Sequence, residues 1–376
     1  MHRFGPSVVG PNDLIALWVS HAKERVVVDQ TSPWSVENGA ETFPVSAKMP
    51  VWFHPLYTDG IHPDARFPRD RYRALARRLQ QEHVAPLVRI ERAPQAHRDD
   101  LVLAHSGTYV DRFIEGKLDP KEVRRIGLRP WTPLLIPRTL HIMGGAIAAL
   151  RSATKSKGLA GNMAGGTHHA HRGHGSGYCV FNDLAVCARL AVQRLGFERV
   201  AIIDLDVHQG DGTATILADD PSVRTISVHC GENFPFRKAE SDFDISVPSG
   251  TADQSYLEAV EQAVLHVLEF EPDLLLYQAG VDGLETDALG RLNLSRVAMR
   301  ERNRKVFEAV IAIAVPCVVF MGGGYSNPIG PTVDAFNDLF VDAARTHQHR
   351  LAREQQSLTE RDAKSAGSGD GMVSGR

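Results

Sequence analysis

The stretch RVAIIDLDVHQGDG, Arg199 to Gly212, opens as an apolar run and ends in three aspartates and a histidine. Val200, Ala201, Ile202 and Ile203 are apolar at every position rather than at alternate ones, which predicts a strand buried on both faces, as in a parallel sheet. Residues two apart in an extended chain point to one side, so Asp204, Asp206 and His208 can converge at the strand's C-terminal end. In open α/β sheets that is the end where ligands bind. A strand terminus whose carboxylate caps the next helix explains one such aspartate, but not the whole set.

Working outward, the placement recurs. DLLLYQ (Asp273–Gln278) leads through Gly280 to Asp282, and PCVVFM (Pro316–Met321) leads to Gly322, Gly323, Gly324 and Tyr325. SVRTISVH (Ser222–His229) and the run beginning at Met49 are further strand candidates. Segments of helical period lie between them. Pro68–His83 puts Tyr72, Leu75, Ala76 and Leu79 on one face and Arg69, Arg73, Arg77 and Arg78 mostly on a solvated one. Asn182–Leu195, closed by Gly196, Ser255–Phe270 and Arg296–Ala314 repeat the pattern. The alternation predicts a single α/β domain over residues 49–352, with a mostly parallel central sheet flanked by helices. Residues 1–48 show no sustained period and read as an N-terminal extension of uncertain status, with Met49 a candidate start. Residues 353–376 lose apolar content and read as a disordered tail.

Composition excludes several classes. Lys and Arg number 42 against 45 Asp and Glu, a net charge of −3, so no global basic field exists for nucleic acid. Cys179, Cys187, Cys230 and Cys317 form no C-x-x-C pair, which fits a reducing, cytoplasmic setting. The longest apolar run, Ala309–Met321, contains Pro316 and falls short of the roughly 20 residues of a membrane span. Neither an export signal nor a membrane partner is expected, and the oligomeric state is open.

Asp206, His208 and Asp282 would give a metal three protein ligands and leave positions open for water and substrate, as in a catalytic zinc site; ferrous iron also accepts such ligands. In Gly165-Gly166-Thr167-His168-His169-Ala170, the paired imidazoles suit general base and general acid work near neutral pH. Asp204 and Asp211 are available to hold their tautomers. His171 and His174 read as solvated loop residues. Tyr325, placed by three glycines at a strand end, could donate to a developing oxyanion.

With these segments in hand, the chain resembles the zinc-dependent histone deacetylase family, of the arginase-deacetylase α/β fold. The likeness covers roughly residues 50–345 through Gly-Gly-x-His-His-Ala, Gly177-Tyr178-Cys179, Asp-x-Asp-x-His-x-Gly-Asp-Gly, Gly-x-Asp and Gly-Gly-Gly-Tyr. HPLYTDGIHPDARFPRDR (His54–Arg71) and HCGENFPFR (His229–Arg237) look most like bacterial and class IV members. The resemblance implies zinc held by Asp206, His208 and Asp282, with His168 and His169 backed by Asp204 and Asp211, and Tyr325 as the catalytic tyrosine. It also implies an acyl-lysine tunnel walled by Tyr178 and Phe234, with Gly177 against the alkyl chain and Gly323 beside the substrate. Asp204 and Ser227 would form part of a potassium site. The related ureohydrolases bind two metals with more carboxylates, but Gly280 and Leu284 flank Asp282 here, so a binuclear site is not expected.

The implied activity is deacetylation of acetyl-lysine in a peptide or protein. The alternatives are deacylation of a small acylated amine, such as an acetylpolyamine, and an acyl-lysine reader without turnover. The rim loops around residues 56–66 and 104–118 carry Asp59, Asp64 and Asp111, whose orientation bears on the choice between peptide and polyamine.

Overall fold

A computed structural model describes residues 47–367. The N-terminal extension up to residue 46, and residues 368–376 of the expected tail, lie outside the described residues. The strands are β1 Met49–Phe53, β2 Val88–Arg92, β3 Leu159–Asn162, β4 Val200–Asp204, β5 Val223–Cys230, β6 Phe243–Val247, β7 Leu274–Gln278 and β8 Cys317–Phe320. They form one eight-stranded sheet in the order β2-β1-β3-β8-β7-β4-β5-β6. Every pairing is parallel, where the sequence predicted a mostly parallel sheet.

All residues of β3, β4, β7 and β8 are buried, which is why those strands are apolar at successive positions. Helices Leu135–Ser156 and Asp183–Leu195 pack on each other and on the middle of the sheet. Asp253–Phe270, Arg296–Ile313 and Gly330–Gly367 form a second contacting series that reaches from β6 to β2. The helix predicted over Asn182–Leu195 begins at Asp183, with the Asn182 side chain accepting from the Ala185 N–H, and ends at Gly196 with φ 78°. The final helix runs through residues 353–367, which composition assigned to a disordered tail. Arg, Glu, Gln and Ala are strong helix formers and prolong a helix without needing apolar burial.

Register places the site. Asn162 pairs with Phe320, Phe320 with Gln278, Gln278 with Asp204, and Asp204 with Ser227, one row across β3, β8, β7, β4 and β5. The loops carrying His168-His169, Tyr325, Asp282 and Asp206-His208 all leave from this row, from four adjacent strands.

Candidate active site

Asp206, His208 and Asp282 are buried, and each offers a ligand atom within 4.8 Å of the others'. His208 Nδ1 is 3.1 Å from Asp206 Oδ1 and 3.0 Å from Asp282 Oδ2. The backbone fixes the other oxygens: Val207 N–H donates to Asp282 Oδ1 at 2.9 Å and Gly323 N–H to Asp206 Oδ2 at 2.7 Å. A Cβ on Gly323 would lie 1.9 Å from Asp282 Oδ2, so only glycine fits there. Burial, and then Asp206, push the Asp282 carboxyl up to about 7. Burial pulls His208 down, but Asp282 and Asp206 outweigh it and hold the ring up to about 10. Two buried carboxylates thus draw a proton onto the imidazole nitrogen between them, and a divalent cation that displaces this proton fits the donor set.

The two histidines of the predicted pair sit side by side, ring centroids 4.1 Å apart, each on its own carboxylate. His168 Nδ1 is 2.7 Å from Asp204 Oδ2, and His169 Nδ1 is 2.7 Å from Asp211 Oδ1. Their environments push them apart. Burial lowers His168, but Asp204 and Asp206 outweigh it and raise the ring to about 9. Burial, followed by the neighbouring His168, lowers His169 to about 3. Such an arrangement offers one charged and one neutral imidazole at the same point.

Tyr325 completes the constellation. Burial pushes its phenol well above the ordinary value; Arg71 opposes this, while Asp282 and Asp206 add to it. The hydroxyl therefore keeps its proton and can donate. Tyr325, Tyr178, Gly177 and His169 line both an inner cavity of about 40 Å³ and an outer one of about 500 Å³. Phe234 joins the outer wall, its ring 4.8 Å from that of His169 and edge-on to it. A Cβ on Gly177 would lie 2.6 Å from His169 Cδ2 and 3.1 Å from Phe234 Cε1, and φ there is +53°. Tyr178 itself takes φ 66°, a conformation non-glycine residues rarely adopt and one that concentrates at functional sites. Gly323 lines the inner cavity, although its N–H is already committed to Asp206. Ser227 lies outside both cavities, beside Asp204 around a separate space of about 10 Å³, with its hydroxyl 3.0 Å from His229 Nδ1.

Several contributors were missed in the sequence. Arg71 and Arg138 are buried and line the inner cavity; neither pairs with a carboxylate among the described residues, and Arg71 Nε has no partner. Arg71 donates to the Gly324 carbonyl at 2.9 Å and lies 5.4 Å from the centre of the Tyr325 ring. Its signal was available, since residue 71 precedes Leu75 by four and so shares the apolar face of its helix. Asp183, in the first turn of its helix, takes the N–H groups of Gly166 and Thr167 at 2.9 and 2.8 Å and thereby shapes the histidine loop. Asp287 accepts from the Tyr325 N–H at 2.6 Å. His171 is not simply a solvated loop residue: its Nε2 is 3.2 Å from the second oxygen of Asp211.

His105 anchors the same loop. Its Nε2 accepts from the Asn182 N–H at 2.8 Å, so Nδ1 carries the proton that reaches the His171 carbonyl at 3.0 Å. Burial lowers its pKa to about 4. Protons then bind the unfolded chain in preference, so this group's contribution to stability is complete above about pH 6.5 and is lost as pH falls toward 4. The loss amounts to about 3 kcal/mol. His54, His229 and His347 are also lowered and act in the same direction, so the test is a difference. In urea unfolding, the stability gap between wild type and the non-titrating His105→Gln should narrow from pH 7 to pH 4.5; a constant gap would show that His105 does not titrate this way.

The histone deacetylase domain profile matches residues 65–335. An uncharacterized protein of Picosynechococcus sp. is 42% identical over 282 residues, 75% of this chain and 93% of its own length. Histone deacetylase 2 of Arabidopsis thaliana is 34% identical over 241 residues, 61% of this chain and 62% of its own length. The crystal structure of the HDA15 HD domain superposes with a TM-score of 0.65 at 22% identity, over 85% of this chain and 99% of that one, a likeness of fold alone.

Proposed function

Because this chain belongs to the histone deacetylase family, we propose that it hydrolyses the acetyl amide of acetyl-lysine in a peptide or protein. Membership makes it a hydrolase of acetylated amides; lysine as the bearer of the amide is our reading. The observation that carries it is the meeting of a three-residue metal set, two His–Asp pairs and a buried phenol at the floor of one two-part cavity.

Asp206, His208 and Asp282 would hold a divalent cation, which we assign as zinc, and once bound it would supply Lewis-acid polarisation of the carbonyl and acidify water. His169, held neutral by burial and by its neighbour, takes the proton of the water whose oxygen attacks the carbonyl carbon. Asp211 orients its ring through Nδ1 and leaves Nε2 for that task. Tyr325 donates a hydrogen bond to the oxyanion. The C–N bond then breaks as the His168–His169 pair returns a proton to the leaving nitrogen, giving free amine and acetate. Tyr178, Phe234 and Gly177 would flank the lysine's methylenes in the outer cavity. Arg71 and Arg138 offer positive charge to the acid product in the inner one. We assign a structural potassium ion to the space between Asp204 and Ser227.

The test is turnover of an acetyl-lysine peptide and of acetylated putrescine by one preparation whose metal content is assayed. Peptide turnover at one zinc per chain is the expected result. Binding of the peptide without turnover by zinc-loaded protein would make the chain a reader, and turnover of the small amine alone would move its substrate to metabolism.

A further inference from the structure

An acylated polyamine carries positive charge beyond its amide and needs free carboxylates at the pocket mouth to hold it. Two of the three rim acids are engaged elsewhere, and the third, Asp64, is exposed away from the cavity. Asp59 pairs with Arg73 at 2.6 Å, and Asp111 takes Nε and Nη2 of Arg98 at 2.6 and 2.9 Å. Asp64 faces His62 at 3.7 Å, and none of the three lines the outer cavity. The acid that does line it, Glu232, accepts from Ser249 N–H at 2.9 Å and from Cys230 Sγ at 3.5 Å. The same cavity is lined by Arg125 and Arg291, both exposed and neither in an ion pair among the described residues, with Arg291 near enough to add to the backbone hydrogen bonds that lower the Glu232 carboxyl. Beside them Phe236 is 87% exposed and Leu289 43%, an apolar ledge next to the tunnel mouth. Like charge brought to such a mouth is repelled, and opposite charge is concentrated there.

We propose that this mouth selects acetyl-lysine flanked by acidic side chains, with Arg125 and Arg291 receiving the flanking carboxylates and Phe236 and Leu289 supporting apolar neighbours, and that it rejects acetylated polyamines. The assignment rests on the deacylase reading above.

The measurement is kcat/KM of the zinc-loaded full chain for three acetyl-lysine peptides of equal length, flanked by Asp and Glu, by Ala, or by Lys, together with acetylated putrescine. The acidic peptide should exceed the basic one by about tenfold at low salt, and the ratio should shrink at high salt as the charges are screened. Arg125→Glu with Arg291→Glu should reverse the order, and the wild-type series stands on its own if that variant does not fold. Equal kcat/KM across the three peptides, or acetylated putrescine turned over as well as the acidic peptide, would overturn the selection while leaving the deacylase reading intact. Silence on every acetylated substrate by metal-loaded protein would instead overturn the deacylase reading, and this inference with it.

Discussion

Asp282→Ala should lose its metal and its turnover together, with kcat/KM down by at least about a thousandfold. Asp282 is fully buried, one oxygen held by the Val207 N–H and the other facing His208 Nδ1 at 3.0 Å. Its removal leaves only Asp206 and His208 as donors, too few to hold a cation in an otherwise open site. The stripped wild type gives a second readout that does not depend on activity. The folded-state pKa of Asp282 is raised, to about 7, so protons bind the folded chain in preference. Asp282's own contribution to the stability of the metal-free wild type is therefore complete near pH 4 and lost as pH rises through 7, opposite to the drift from the lowered histidines, so the stability gap between metal-free wild type and Asp282→Asn should narrow from pH 4 to pH 8. Adding zinc at pH 7 should restore wild type and stabilise the variant far less. Zinc bound at full stoichiometry to Asp282→Ala would remove this residue from the ligand set, whatever the rate.

The chemistry was legible because buried parallel strands are written as unbroken apolar runs, so β4, β7 and β8 announced themselves and so did the polar residues that follow them. Their adjacency was not legible. That β8 and β7 lie between β3 and β4 is decided by pairing between segments 42 to 158 residues apart in the chain, and it alone brings the histidine loop onto the metal set. β3 was missed because four residues including Gly161 and Asn162 carry little strand signal, and β6 because it is an edge strand with exposed alternate positions. Arg71 was hidden by its charge, although its helical phase placed it with Leu75 and Leu79. The rim acids could be seen but not their use, since whether Asp59 and Asp111 face a substrate or Arg73 and Arg98 depends on side-chain geometry.

Tyr325→Phe separates chemistry from structure more sharply than any ligand substitution. The ring is held from three sides: edge-on by Phe67 at 6.0 Å, by Tyr178 at 6.1 Å, and by the Arg71 guanidinium at 5.4 Å. Phenylalanine keeps all of these contacts, and the backbone N–H still donates to Asp287. Only the hydroxyl is lost. Metal content and peptide affinity should therefore stay within about twofold of wild type, while kcat falls by about a hundredfold to a thousandfold, the usual effect of removing one oxyanion donor. The phenol is also held well above its ordinary pKa, by burial first and with Asp282 and Asp206 adding to it, so its ionisation should put no limb on the wild-type rate profile up to about pH 10. An equal fall in affinity and kcat would make Tyr325 a ground-state binding residue, and an unchanged kcat would mean that the oxyanion is held without it.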